Sequence, residues 1–196
     1  MAKIAIDLDD TLVLTVELLI KDILKTNKDS WFKGYHSLED LNFKERDAFY
    51  HYIRQTLNKQ EIKTFKPIPH SKKILYKLAK EHELYIITAR STDVKNHTHL
   101  WINEHFNNIF KEIIFCEYHK SDHFVETKGE ICKKYGIDLI VDDNKEYIWD
   151  CHKHKIKTIV FDYKKQYPWA KDKYPKDIQI ANDWQDVLKI IENTKF

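Results

Sequence analysis

The chain has 196 residues, a length that suits one domain or one domain with a modest insertion. Hydrophobic residues make up 42% of the sequence and aromatic residues 13%, which is enough for a buried core and argues against a disordered chain. The 33 Lys and Arg residues nearly balance 31 Asp and Glu residues, and the net charge of +2 argues against a polybasic binder of duplex nucleic acid. Only three glycines are present, so the Gly-rich phosphate loops of P-loop and dinucleotide-binding folds are not expected.

Three features of the sequence bear on the cellular location: membrane-spanning segments, secretory signals and the pairing of cysteines. The apolar runs are only a few residues long, far below a membrane span, so no membrane association is expected. The first residues lead straight into a strand and an acidic cluster, and no secretory leader is recognisable. Cys116, Cys132 and Cys151 form no paired framework and suit a reducing compartment. We therefore predict a cytoplasmic protein.

Five short apolar runs predict β-strands. They are nearly continuous rather than alternating, a pattern typical of a parallel sheet covered on both faces. In chain order they are 4–6, 84–87, 113–115, 139–141 and 158–161. Amphipathic stretches between them predict helices over 70–81, 93–107, 127–135, 144–154 and 183–192. This alternation of strand and helix predicts right-handed crossovers and an α/β fold with a doubly wound parallel sheet.

The connection after the first strand is far longer than one crossover helix. It runs from Leu12 to the second strand near Leu84. Apolar residues at helical spacing in 14–27 and 43–59 predict helices within it. We therefore predict that residues 13–66 form a small helical cap, inserted after the first strand and placed over the carboxyl edge of the sheet.

The remaining residues, 1–12 and 67–196, are then the catalytic core. Aromatic residues in the cap either form its own small core or stack on a nucleobase. Trp31 and Phe32, in a loop-like stretch, are the two that we expect to contact a substrate.

Reactive side chains follow three of the predicted strands at the points where the strands end. In chain order they are Asp7, Asp9 and Asp10, then Thr88 and Arg90, then Asp142 and Asp143. Ligand sites of open α/β sheets lie beyond the carboxyl ends of the strands, so these side chains are expected in one site. Lys128 opens the helix that precedes the fourth strand and is expected to reach the same site.

These residue types together can transfer a phosphoryl group. Converging carboxylates repel one another unless a cation neutralises them, and oxygen ligands at this density suit Mg²⁺. One carboxylate can attack phosphorus to form an aspartyl-phosphate, and a second can protonate the leaving oxygen and later activate water. Thr88 and Lys128 can hold the phosphoryl oxygens. Asp10 is interpreted as a local turn or helix-start residue and not as a third catalytic acid. Arg90 either reaches the phosphate or sugar of a substrate or pairs with the acidic cluster.

Four segments resemble, in order and spacing, the four motifs of the haloacid dehalogenase (HAD) superfamily. They are DLDDTL, IITAR, TKGEICKKYG and IVDDN, and the resemblance runs from residue 3 to about 161. It implies that Asp7 is the nucleophile and Asp9 the general acid and base. It also implies that Thr88, Ala89 and Lys128 bind phosphate.

The same resemblance implies a Mg²⁺ site. Asp7, Asp142 and the backbone carbonyl of Asp9 would hold the ion. Asp143 would then support the site from beside it or pair with a lysine.

An acid at position 9 is typical of HAD phosphatases and phosphotransferases rather than dehalogenases. The segment PIPHSKKILYKLAKEHELYIITAR, with Thr98 and HLWINEHF after it, is similar to the 5'(3')-deoxyribonucleotidase-like branch, which carries a small cap after its first strand. The resemblance implies a phosphatase acting on a small phosphorylated substrate, foremost a 5'-nucleotidase for nucleoside or deoxynucleoside monophosphates. The alternatives are a phosphatase for another small metabolite, such as a sugar phosphate, and a non-catalytic HAD-like binding protein. The sequence does not predict the oligomeric state.

The segment CEYHKSDH offers a weaker alternative. Cys116, His119 and His123 have a spacing that could ligate Zn²⁺, but no further ligand follows at a clear spacing. In a chain with 11 histidines, surface histidines are the favoured interpretation.

Overall fold

A computed structural model of the chain describes residues 1–15, 65–116, 126–166, 170 and 173–196. Nearly all of the cap predicted over 13–66, including Trp31 and Phe32, therefore lies outside the described residues, and so do His119 and His123. Within the described ranges the chain forms six β-strands, five α-helices and two short 3-10 helices.

The six strands form one parallel sheet. They are β1 (Lys3–Ile6), β2 (Glu83–Thr88), β3 (Phe110–Phe115), β4 (Leu139–Asp142), β5 (Lys157–Phe161) and β6 (Gln179–Ala181). Their order across the sheet is β3-β2-β1-β4-β5-β6, and every neighbouring pair is parallel. The chain builds outward from β1 on one side and then returns to add β4 on the other, which confirms the doubly wound α/β fold. The switch point lies between β1 and β4, where ligand sites of such sheets are found.

The five helices match the five helical stretches expected from the sequence. They are α1 (Ser71–Leu78), α2 (Lys95–Phe106), α3 (Lys128–Tyr135), α4 (Lys145–Lys153) and α5 (Trp184–Glu192). The 3-10 helices span Thr92–Val94 and Tyr163–Lys165. Within the described ranges, no helix is long and apolar enough to span a membrane.

Helices cover both faces of the sheet. In β1, Ile4 and Ile6 point to one face and pack in a core with α1, α2 and α5, whereas Ala5 points to the other face and packs in a core with α3 and α4. All three of these β1 side chains are fully buried. Burial on both faces explains why the strands are nearly continuous in apolar residues rather than alternating.

The three cysteines are buried thiols on the α3 and α4 side of the sheet and form no disulfide. Burial raises the pKa of the Cys116 thiol to about 12, which disfavours the thiolate that a metal would need. The cysteines therefore belong to the apolar core.

The loop after β1 is held in place by backbone contacts. The Leu12 amide donates to the carbonyl of Leu8 at 2.9 Å, and the indole nitrogen of Trp184, on α5, donates to the carbonyl of Thr11 at 3.1 Å. Asp10 sits inside this turn with φ 55°, in the left-handed region that Asp and Asn tolerate better than most residues. The carboxylates on either side of the turn are thus carried by a fixed backbone.

Candidate active site

Asp7 and Asp142 lie side by side where β1 and β4 end, with a buried lysine between them. The ammonium nitrogen of Lys128 donates to Oδ1 of Asp7 and to Oδ2 of Asp142, at 2.6 Å in each case. The lysine side chain is 0% exposed, and its nitrogen lies 4.3 Å from the centre of the Tyr147 ring. The structure therefore brings together three residues that are far apart in the chain, as the strand-end pattern predicted.

The start of α3 fixes the position of Lys128. Thr127 and Glu130 form a capping box, in which the Glu130 amide donates to Oγ1 of Thr127 at 3.2 Å and the Thr127 amide donates to Oε2 of Glu130 at 2.8 Å. Gly129 lets α3 and α4 approach closely, because a Cβ there would stand 2.3 Å from Nδ1 of His154. The Gly129 amide also donates to Oδ2 of Asp150 on α4 at 2.7 Å.

The two neighbouring aspartates after β4 have different partners. Asp142 accepts from Lys128 at one oxygen and from the Asn144 amide at the other, at 2.9 Å. Asp143 accepts a weaker hydrogen bond from Oγ1 of Thr11 at 3.4 Å. Asn144 itself caps α4 and so fixes the turn that carries both aspartates.

Three carboxylates converge on this point. Asp7, Asp142 and Asp143 each offer an oxygen, and these oxygens all lie within 4.8 Å of one another. All three residues are buried. Burial raises the pKa of Asp7 to about 8, against the attraction of Lys128, and it also raises the pKa of Asp142.

The charges of this group do not balance. Burial raises the pKa of Asp143 well above its usual value, and the charges of Asp10, Asp142 and Asp7 raise it further. Burial would lower the pKa of Lys128, but its two carboxylate partners outweigh that effect and hold the ammonium charged. Three carboxyl groups share one ammonium here, and their raised pKa values mean that ionising all of them is costly without a further positive charge. This buried, oxygen-rich donor set fits a hard divalent cation.

Asp9 faces a different partner. Its Oδ1 accepts from Nη2 of Arg90 at 2.6 Å, and its Oδ2 accepts from Nε of Arg90 at 2.9 Å. Thr15 also donates its hydroxyl to Oδ1 of Asp9. Burial would raise the pKa of Asp9, but the charge and hydrogen bonds of Arg90 outweigh it and hold the pKa below its usual value. Of the two roles that the sequence left open for Arg90, the structure contains the ion pair.

Thr88 and Ala89 lie at the carboxyl end of β2, on the same edge of the sheet. Thr88 is fully buried, and its Oγ1 accepts from the Arg90 amide at 3.2 Å, so it stabilises the turn after the strand. Ser91, and not Thr88, caps the helical turn that follows. Phosphate binding by Thr88 and Ala89 stays a prediction.

Four residues of the site were not singled out by the sequence as side chains that support it: Thr11, Thr15, Asn144 and Tyr147. Thr11 and Asn144 belong to the motif segments at the ends of β1 and β4, and that position was the available signal. Thr15 and Tyr147 carry no such signal, because only the folded chain brings them to the acidic residues.

Solved structures share this fold at low sequence identity. A haloacid dehalogenase-like hydrolase, SP0104 from Streptococcus pneumoniae, aligns with TM-score 0.65 and 17% identity over 97% of this chain and 98% of that one. L-2-haloacid dehalogenase from Xanthobacter autotrophicus aligns with TM-score 0.68 and 12% identity over the whole of both chains. The magnesium-bound HAD-hydrolase YfnB from Bacillus subtilis, described as putative, aligns with TM-score 0.60 and 14% identity over 97% and 98%. At these identities the similarity establishes the fold alone.

No curated protein matches the sequence. A family model does match, over residues 4–196, and it is described as "5' nucleotidase, deoxy (Pyrimidine), cytosolic type C protein". The match covers nearly the whole chain and includes every residue of the acidic site. Together with the HAD-like fold and the strand-end carboxylates, it shows that the chain belongs to this 5'-nucleotidase family of HAD-like hydrolases.

Proposed function

We propose that this protein is a Mg²⁺-dependent phosphatase that hydrolyses nucleoside or deoxynucleoside 5'-monophosphates through an aspartyl-phosphate on Asp7. The convergence of Asp7, Asp142 and Asp143 around one buried lysine carries this proposal. The family description, which names a 5'-nucleotidase, supports the substrate class. The B. subtilis neighbour, described as bound to magnesium, supports the choice of ion.

The three carboxylates would hold the ion. Asp7, Asp142 and Asp143 each offer it an oxygen, and these oxygens lie within 4.8 Å of one another. The backbone carbonyl of Asp9 stays a further candidate from the family resemblance. When bound, Mg²⁺ supplies positive charge that offsets the carboxylates and the phosphoryl oxygens.

In the first step, a carboxylate oxygen of Asp7 attacks the phosphorus of the substrate. A new O–P bond forms as the bond between phosphorus and the ester oxygen breaks, and the leaving oxygen takes a proton from Asp9. Asp9 is a carboxylate in the free protein, so it gains that proton from the substrate phosphate monoanion or from solvent before this step. Lys128, which contacts Oδ1 of Asp7, orients the nucleophile and adds positive charge beside the phosphoryl group. Thr88 and Ala89 are proposed to bind the phosphoryl oxygens from the end of β2.

In the second step, water attacks the phosphorus of the aspartyl-phosphate. Asp9, now a carboxylate, takes a proton from that water, and the bond between phosphorus and the Asp7 oxygen breaks. The products are inorganic phosphate and free Asp7, so the site returns to its starting state.

A phosphate-release assay tests this proposal. Purified protein with Mg²⁺ is incubated with dUMP, dTMP, other nucleoside monophosphates and sugar phosphates, beside Asp7→Asn and the exposed control Asp93→Asn. We expect hydrolysis of nucleotides by the wild-type protein and by Asp93→Asn, and a loss of at least about 10⁴-fold in Asp7→Asn.

Three other outcomes of this assay would each contradict one part of the proposed function. Hydrolysis that persists in Asp7→Asn would overturn the nucleophile. Turnover confined to sugar phosphates would keep the chemistry and replace the substrate class. No turnover of any ester would favour a binding protein with the same fold.

A further inference from the structure

We propose that Arg90 is a positioning residue that orients Asp9 for proton transfer to the leaving oxygen. This inference rests on the proposed phosphatase function and deepens it. The family motifs assign roles to Asp9 and Thr88 but leave Arg90 without one. The contacts of its guanidinium group supply that role.

The guanidinium and the carboxylate meet in a forked ion pair. Nη2 of Arg90 lies 2.6 Å from Oδ1 of Asp9, and Nε lies 2.9 Å from Oδ2 and 3.2 Å from Oδ1. Two donors against two acceptors fix the plane of the carboxylate as well as its distance, which a single point charge would not do.

Arg90 is in turn anchored by the protein. Its Nη1 donates to Oγ1 of Thr98, on α2, at 3.2 Å, and its Nη2 donates to Oγ1 of Thr15 at 3.4 Å. The Arg90 side chain is 2% exposed, whereas that of Asp9 is 30% exposed. Arg90 is thus the buried member of the ion pair, and Asp9 is the member exposed to solvent.

These contacts argue against Arg90 as a substrate-binding residue. All three of its nitrogens already have acceptors within the protein, and almost none of its surface is open. A substrate phosphate or sugar would have to displace Asp9 or Thr98 to reach it. The geometry therefore assigns Arg90 an indirect role, through Asp9.

The ion pair also distinguishes the two oxygens of Asp9. Oδ1 accepts from Nη2 and Nε of Arg90 and from the hydroxyl of Thr15. Oδ2 accepts from Nε of Arg90 at 2.9 Å. A carboxylate oxygen offers about two lone pairs, so Oδ1 is saturated by these donors and Oδ2 keeps acceptor capacity. We assign Oδ2 as the atom that carries the proton to the leaving oxygen.

Leaving groups of different basicity test this role. p-Nitrophenolate leaves without a proton, whereas the alkoxide of a nucleoside needs one. The substrates are p-nitrophenyl phosphate and a nucleoside monophosphate, and single-turnover release of p-nitrophenol or nucleoside measures the rate of the first step. The rates are measured with Mg²⁺ in the wild type, Arg90→Gln, Arg90→Lys and Asp9→Asn.

For Arg90→Gln we expect nucleoside release to fall about 100-fold or more while p-nitrophenol release falls less than about 10-fold. Asp9→Asn should show the same selectivity, and adding Arg90→Gln to it should cost little more, because the two residues act as a unit. Arg90→Lys should restore part of the nucleoside rate, since it replaces the charge but not the fork.

Three results would overturn the proposal. An equal fall for both leaving groups would indicate a purely structural role. A raised KM with an unchanged single-turnover rate at saturation would make Arg90 a substrate-binding residue. Additive losses in the double variant would separate Arg90 from Asp9.

The test separates this inference from the function on which it rests. A wild-type protein that releases neither product would overturn the phosphatase proposal and this inference with it, whereas an active wild type with an even loss in Arg90→Gln overturns the positioning role alone. If Arg90→Gln does not fold, Thr98→Val removes one anchor of the arginine instead. It should show the same leaving-group selectivity at a smaller size, and an even loss there would contradict the proposal.

Discussion

The two halves of the site differ in their ratio of carboxylates to cationic side chains. The lysine half consists of Lys128 with Asp7, Asp142 and Asp143, and its carboxylates outnumber its cation. The arginine half consists of Arg90 and Asp9, with Thr15 and Thr98 as hydroxyl partners, and its one cation matches its one carboxylate. The halves lie at the ends of neighbouring strands, and they differ in the charged partners of their carboxylates and in the exposure of those carboxylates.

This difference indicates a division of labour. Buried carboxylates that outnumber their cations are costly unless another positive charge joins them, so the lysine half is the one expected to attract Mg²⁺ and a reacting phosphoryl group. A balanced ion pair gains little from a further ion. The arginine half is therefore expected to hold a carboxylate in a fixed orientation.

Removing the buried ammonium should have the largest effect. Lys128→Met leaves Asp7 and Asp142 buried without their shared partner, which should lower the free energy of unfolding by about 3–5 kcal/mol in the absence of Mg²⁺. Urea unfolding measures this change. The matched control is Lys134→Met on the same helix, whose solvent-exposed pair with Glu126 should contribute little to stability. Similar losses in the two variants would contradict the central place of Lys128.

Mg²⁺ should stabilise the protein through the lysine half alone. At about 100 times its dissociation constant, a ligand of the native state adds about 2.7 kcal/mol to the free energy of unfolding. For a chain of this size that corresponds to a rise in Tm of roughly 5–10 °C. Asp143→Asn should abolish most of the rise, whereas Arg90→Lys should keep it. A Tm that responds equally in both variants would show that the ion is not specific to the lysine half.

The two glycines near α3 offer a smaller, matched comparison. Gly129→Ala would push a Cβ against His154 and the Asp150 carbonyl, so it should cost about 1–3 kcal/mol and shift Lys128 enough to lower the phosphatase rate. Gly136→Ala meets no close atom but would require a left-handed conformation, at φ 66°, so it should cost about 1 kcal/mol and leave the rate unchanged. Thermal unfolding and phosphate release together distinguish the two. Equal rates for the two variants would show that α3 does not position Lys128 this closely.

Acid should have the smallest effect, through two histidines of α2. Burial lowers the pKa of His99 and of His105, both on the helix that carries Thr98, and nearby lysines lower both further. At these two positions the unfolded chain binds more protons than the native one as pH falls below about 6.5, so the contribution of the two histidines to stability decreases in that direction. The raised pKa values of the buried aspartates act in the opposite direction, so the histidine contribution is read from the difference in urea midpoint between the wild type and a His99→Gln/His105→Gln variant, which should fall between about pH 7 and pH 5. A difference that stays constant over this range would exclude a contribution from these two residues.

The sequence predicted the regular elements well because their signals are local. The start of α3, predicted at residue 127, is set by the capping box of Thr127 and Glu130, which is written in adjacent residues. β6 was not predicted. Its three residues are mostly exposed, and they form a strand through their pairing with residues 159–161 of β5. A short edge strand of this kind depends on its neighbour rather than on its own composition.

The site shows the same limit. The strand ends predicted which acidic residues would meet, since parallel strands end at one edge of the sheet. They did not predict which of the adjacent Asp142 and Asp143 would receive the lysine, because that depends on the approach of α3. They also left two roles for Arg90, because its burial against Thr98 follows from the packing of α2. Which side chains pair within the site thus depends on how the helices pack against the sheet.

The central claim is that Asp7 forms a covalent bond to the phosphoryl group. Acid-quenched protein, mixed with Mg²⁺ and a phosphomonoester that it turns over, can be digested and examined by mass spectrometry. We expect one added phosphoryl group on the peptide that contains Asp7, and this group should be lost on treatment with hydroxylamine and missing in Asp7→Asn. A phosphoryl group on another residue, or rapid turnover with unmodified Asp7 at every quench time, would contradict it.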